Sequence, residues 1–109
     1  PDEIGNSGSF FKNPVVDIAL LNSIQENHEN VPHYPAEKGK VKLAAGWLIE
    51  QAGWKGFREG DIGVHTKQAL VLVNYGNGNG SDIKDLSARI IADIEKKYGV
   101  RLEREVNIL

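Results

Sequence analysis

Few side chains in this chain stand where chemistry needs them, and Ser9 is the first to weigh. It follows Gly8 and precedes Phe10 and Phe11. A hydrolase nucleophile elbow calls for Gly-x-Ser-x-Gly, but Phe11 takes the last glycine's place, so acyl transfer is not supported. On its residues alone Ser9 is a loop serine. Lys42 opens what reads as the second helix, where a cation opposes the macrodipole and costs a few tenths of a kcal/mol. An anion at that turn would give the lysine a reason, since helix N-termini bind phosphate; chance surface placement is the commoner explanation for any one lysine. Glu105 falls on the wet face of a final strand, where a carboxylate is ordinarily just solvated. Asn13, Tyr34 and Gln68 lie in expected loops, where binding groups concentrate and ordinary polar residues do too.

Other constellations fail on spacing. Gly76-x-Gly78 follows an expected strand and precedes a helix, as a dinucleotide fingerprint should, but Ser81 stands where the third glycine belongs. The chain ends one strand later, too soon for a Rossmann sheet. His28, His33 and His65 show no i,i+4 pairing and no carboxylate cluster beside them, so no metal is expected. Without a cysteine, disulfides, thiolate catalysis and zinc ribbons are excluded. The net charge of -2, with no basic stripe, disfavours nucleic acid and anionic membrane as partners. No apolar run approaches the ~20 residues of a membrane span. Pro1-Asp2-Glu3-Ile4 lacks the basic and apolar regions of a signal peptide, and a start at Pro1 with no Met anywhere reads as a processed or trimmed product.

The elements that must position these groups follow from pattern. The 109 residues read as one domain with a single core. Asp17 is placed to cap a helix with Ile18, Leu21 and Ile24 on one face. Residues 28–40 read as a proline-bearing loop. The second helix begins near Lys42, carries Leu43, Ala44, Trp47 and Leu48, and closes at Gly53 in a left-handed cap. Ile62 and Val64 suggest one strand and Ala69–Val73 a buried second, joined as a hairpin. Ser81 is placed as the cap of the longest helix, with Ile83, Leu86, Ile90, Ile94 and Tyr98 at helical spacing and Gly99 as its end. The tail alternates, with Val100, Leu102, Val106 and Ile108 facing inward. The expected class is α+β: a small, mostly antiparallel sheet packed with about three helices.

Four segments in order then carry a resemblance. Residues 5–14, read Gly-Asn-Ser-Gly-Ser-Phe-Phe-Lys-Asn-Pro, are similar to a signature of the UDP-N-acetylenolpyruvoylglucosamine reductases. The likeness continues through Lys42–Gln51 and Val64–Leu72 and ends in Leu102-Glu103-Arg104-Glu105-Val106. It implies the C-terminal, substrate-binding domain of a peptidoglycan-building enzyme in which NADPH reduces FAD and the flavin passes hydride to the substrate's enolpyruvyl double bond. Ser9 would then be the general acid that protonates the enol carbon. Glu105 would match the glutamate that holds the enolate; because a charged carboxylate repels an enolate, that role requires protonation or a bridging cation or water. Asn13, Tyr34, Lys42 and Gln68 match positions that contact the UDP-sugar.

The resemblance further implies a cytoplasmic enzyme whose flavin-binding region, and a lysine just upstream of the signature, have no counterpart before Gly5. Ser7 stands where many relatives carry alanine. No FAD or NADPH site is expected within these 109 residues, and the domain by itself is expected to be inactive. A free-standing nucleotide-sugar-binding module and a non-catalytic scaffold are the competing readings. A proton donor at Ser9 and a glutamate at position 105 argue against both.

Overall fold

The computed structural model describes residues 11–104. Within them two three-stranded antiparallel sheets and three helices build an α+β fold, so the expected class holds, with two small sheets in place of one. The first sheet has the order β1-β3-β2, from β1 (Val15–Asp17), β2 (His33–Pro35) and β3 (Lys40–Leu43). The second has the order β4-β5-β6, from β4 (Arg58–Glu59), β5 (Ile62–Val64) and β6 (Leu72–Asn74). The helices are α1 (Ile18–Gln25), α2 (Ala45–Gln51) and α3 (Gly80–Tyr98).

The first sheet is where the sequence reading needs correcting. Lys42 is not in a helix. In β3 Val41 and Leu43 are buried while Lys42 is exposed, the period of two that an extended strand imposes. The helical stripe expected from Lys42 therefore begins only at Ala45. Pro35 is tolerated in β2 because β2 is an edge strand, where a missing N–H breaks no ladder. Asp17 does hold the N-cap position of α1, but its carboxylate bonds Lys40 Nζ at 2.8 Å and makes no cap hydrogen bond. That bond, with the charge of Asp17, raises the Lys40 pKa above its ordinary value.

The second sheet and α3 follow the expectations more closely. The hairpin forms with Ile62 opposite Asn74 and Val64 opposite Leu72; residues 69–71 precede its second strand and are not part of it. Gly63 lets β4 approach, since a Cβ there would lie 2.4 Å from Phe57 O. The cap of α3 is Asn79, not Ser81. Asn79 Oδ1 accepts from Asp82 N at 3.0 Å while Asp82 Oδ2 accepts from Asn79 N at 3.1 Å, a complete capping box. The two-sided exchange satisfies two N–H groups that a serine cap two residues later would leave open. Gly99 ends the helix with φ of 72°, as expected.

Leu48, Ile49, Leu86, Ile90 and Ile94 are fully buried between α2, α3 and the sheets, each stabilising the fold by roughly 1.5–3 kcal/mol relative to exposure. Polar contacts fix α3 against the segment after α2. Trp54 Nε1 donates to Asp93 Oδ2 at 2.8 Å, and Lys97 Nζ lies 3.1 Å from that same oxygen and 3.1 Å from Ala52 O. Beyond Gly99, Val100 and Leu102 are buried and Arg101 and Glu103 exposed, as the alternation requires. Among the described residues the expected final strand is reduced to one antiparallel bridge, Phe11 to Arg104. Lys12 N donates to Glu103 O at 2.9 Å beside it, and Arg104 Nε donates to the buried Ser87 Oγ at 2.7 Å.

Burial raises the Asp93 pKa, but the hydrogen bonds from Trp54 and Lys97 and the charges of Lys97 and Lys96 outweigh it, leaving the carboxyl below its usual value. A depressed carboxylate contributes stability above its unfolded pKa and loses it as pH falls through the folded one. Stability should therefore decline below about pH 4. Asp93→Asn should show lower stability at pH 7 and a shallower acid decline, measured by urea unfolding across pH; equal acid slopes would rule the pair out as a contributor.

Candidate functional site

Of the expected site residues, Tyr34 and Lys42 lie on the first sheet, Asn13 bonds the start of α2, and Gln68 lies in a loop of the second sheet. Register puts Val15 and Tyr34 opposite Lys42, on β1 and β2 respectively. Directly opposed residues share a face with Cβ atoms about 4.5–5.5 Å apart, so the three form one row. Lys42 and Tyr34 are both exposed. In the next row Asp17 pairs with Lys40. Lys42, by contrast, has no carboxylate partner among the described residues. Its place on a strand removes the helix-dipole argument made for it from sequence; the exposed, unpaired charge between two cross-strand neighbours takes that argument's place.

Asn13 connects this sheet to α2. Its Oδ1 accepts from Ala45 N at 3.0 Å, filling a first-turn donor that Ala44, at the N-cap, has no side chain to satisfy. Because Oδ1 must face the amide, the Nδ2 group is turned away from it. Asn13 also lines a cleft of about 270 Å³ with Lys12, Pro14, Val15, Arg101 and Glu103. Gln68 lies in the β5–β6 loop, exposed, with its carbonyl accepting from Val71 N at 3.0 Å. Two residues on, Leu70 packs against α2: a Cβ added to Gly46 would lie 3.4 Å from Leu70 Cγ. The loop of Gln68 and the side chain of Asn13 thus meet the same first turn of α2. Ser9 and Glu105 lie outside the described residues.

The glycine-rich turn after β6 does not fit a dinucleotide. Asn74 Oδ1 accepts from Gly76 N at 2.9 Å and Gly78 N at 3.1 Å, and Asn74 Nδ2 donates to Gly78 O. The Asp82 carboxylate occupies the α3 N-terminus through the capping box. The amides of Gly76, Gly78, Asn79 and Asp82 are taken, and the Asp82 carboxylate sets a negative charge at the helix start where a phosphate would sit. A pocket of about 350 Å³ beside this turn is lined by Glu59, Asp61, Asp82 and Asp85, with Arg89. Among the described residues no group of three or more His, Asp or Glu side chains could hold a metal ion, and no helix is long and apolar enough to cross a membrane.

An α+β domain with two small antiparallel sheets, an exposed lysine without a described carboxylate partner on one of them and a helix whose first amide Asn13 caps is the class these features define. The whole chain, residues 1–109, matches the model of the UDP-N-acetylenolpyruvoylglucosamine reductase C-terminal domain. It is 55% identical over 99% of its length to the UDP-N-acetylenolpyruvoylglucosamine reductase of Pseudomonas savastanoi, 57% over 99% to that of Pseudomonas putida, and 52% over its full length to that of Chromobacterium violaceum. The chain spans 32% of the length of each of these relatives. It belongs to the family of C-terminal domains of UDP-N-acetylenolpyruvoylglucosamine reductases.

The Asn13 contact separates two roles. Asn13→Ala should destabilise the chain by about 1 kcal/mol through loss of the Ala45 acceptor. Asn13→Asp keeps an acceptor and should leave stability within about 0.5 kcal/mol. Denaturant melts of both variants check this, and equal losses would refute the capping role.

Proposed function

We propose that this chain is the substrate-binding and proton-donating domain of the reductase that converts UDP-N-acetylenolpyruvoylglucosamine to UDP-N-acetylmuramate in the cytoplasm. The observation that carries the reading is the face on which Tyr34 and Lys42 stand side by side, next to Asn13, in a chain more than half identical to named reductases. Lys42 gives the diphosphate a charge-assisted contact that no described carboxylate competes for. Asn13, held by Ala45 N, presents its Nδ2 donors; Tyr34 and Gln68 contact the rest of the UDP-sugar.

Hydride addition leaves the substrate as an enolate that must take a proton at carbon. Ser9 supplies that proton, in an environment that tolerates its alkoxide. Glu105 holds the enolate. Phe11 and Arg104 form a bridge, with Ser9 two residues before the one and Glu105 directly after the other. FAD and NADPH belong to the rest of the reductase. With its own glycine-rich turn closed by Asn74 and Asp82, this chain is proposed to be colourless and inactive by itself.

Two measurements test the reading. Lys42→Ala should weaken UDP binding by roughly 1.5–3 kcal/mol, the range for a hydrogen bond to a charged group, in calorimetric titration of the intact protein. In a full-length reductase carrying this domain, Ser9→Ala should lower turnover about 10²–10⁴-fold while UDP affinity stays unchanged. Unaltered UDP affinity in the lysine variant, or unaltered turnover in the serine variant, removes the corresponding role.

A further inference from the structure

The large hydrophobic side chains exposed among the described residues are Val15 at 47%, Ile18 at 42% and Tyr34 at 49%. Singly, an exposed valine needs no account. Here all three lie on the first sheet or at the helix start that directly follows it, and two of them flank Lys42 in one cross-strand row. Val15 also lines the cleft of about 270 Å³ that holds Asn13. It therefore stands across the strands from Lys42 and beside Asn13 in that cleft.

We propose that Val15 is a ligand-contacting residue that sets specificity: it is the apolar platform for the ribose ring that the uridine diphosphate itself carries. The proposal rests on the reading of this face as the UDP-sugar site. An ammonium–phosphate contact gains strength as water is excluded from it, and an aliphatic neighbour excludes water without competing for the charge. A β-branched side chain on a strand is already confined to few rotamers, so packing a sugar's C–H face on it costs little entropy. Tyr34 closes the other side of Lys42, and the row becomes a cation set between two apolar walls. That arrangement favours a phosphate carrying a ring over a bare anion.

The test is a calorimetric titration of UDP into the intact protein and its variants. Val15→Thr keeps the branched shape and wets the surface; UDP affinity should fall about three- to tenfold, the size expected for losing roughly one methyl contact and exposing a hydroxyl. Val15→Glu sets a carboxylate opposite Lys42 and should weaken UDP more than about tenfold by cross-strand pairing. Ile18→Thr, equally exposed but outside the row, should leave affinity unchanged. Melting temperatures of the Val15 variants should stay within about 3 °C of the parent, since the residue is half exposed. Weaker UDP binding in Lys42→Ala, with both Val15 variants binding like the parent, overturns the platform and leaves the site standing. Parental affinity in Lys42→Ala and both Val15 variants overturns the site and the platform with it.

Discussion

One extended stretch, residues 11–17, is bonded along both of its edges, and the arrangement of the site hangs on it. On one edge Phe11 bridges Arg104 and Lys12 N donates to Glu103 O. On the other, Pro14 O accepts from Leu43 N at 2.8 Å and Val15–Asp17 pair with Lys40–Lys42. Pro14 has no N–H to give, and only its carbonyl is asked for. Phe11, buried to 1% exposure, nails the stretch into the core. A slip of one residue would turn every side chain to the opposite face, carrying Val15 inward and Asn13 off the Ala45 amide. The position of the first sheet relative to the C-terminal segment is thus set by a single register.

That register is held from below by α3. Ser87, a buried polar residue in the helix, gives its hydroxyl hydrogen to Lys84 O and receives Arg104 Nε, so the C-terminal segment is tied to the helix at the residue that meets Phe11. At the other end Asp93 binds both the Trp54 indole and Lys97. The Trp47, His28 and Tyr98 rings meet between the ends of α1 and α3 and the face of α2, with centroids 5.5–6.5 Å apart, the range in which edge contacts between rings are favourable. Burial there raises the Tyr98 pKa.

The sequence makes α1 and α3 legible because their periodicities run long enough to dominate, and the hairpin because a polar break parts two apolar runs. Leu86, Ile90 and Ile94 cannot be mistaken for a strand. The first sheet is not legible, because its strands are three or four residues long and their alternation is too brief to stand out. Val41 and Leu43 are half of a two-residue period, yet they also begin the apolar stripe that α2 continues, and so Lys42 reads as helical. The cap of α3 misleads for a related reason: Ser81 is a favoured cap residue by type, but the reciprocal partner that decides the position is Asp82, three residues after Asn79. The groups expected at the site came from motif likeness. No local pattern marks Val15, whose placement depends on pairing with residues more than twenty positions away.

Gly63 carries a further consequence for how this domain can diverge. Gly39, Gly53 and Gly60 hold positive φ with open space around the missing Cβ. Another residue at those places meets only backbone strain of about 1 kcal/mol or somewhat more, a toll a stable relative can absorb. At Gly63 the obstacle is the carbonyl of Phe57 and the backbone of Arg58, neither of which can swing aside without parting β4 from β5. Over long stretches of descent the first three positions are free to drift and be compensated one at a time. Position 63 is a wall: any lineage that crosses it must rebuild the edge of the second sheet in the same step.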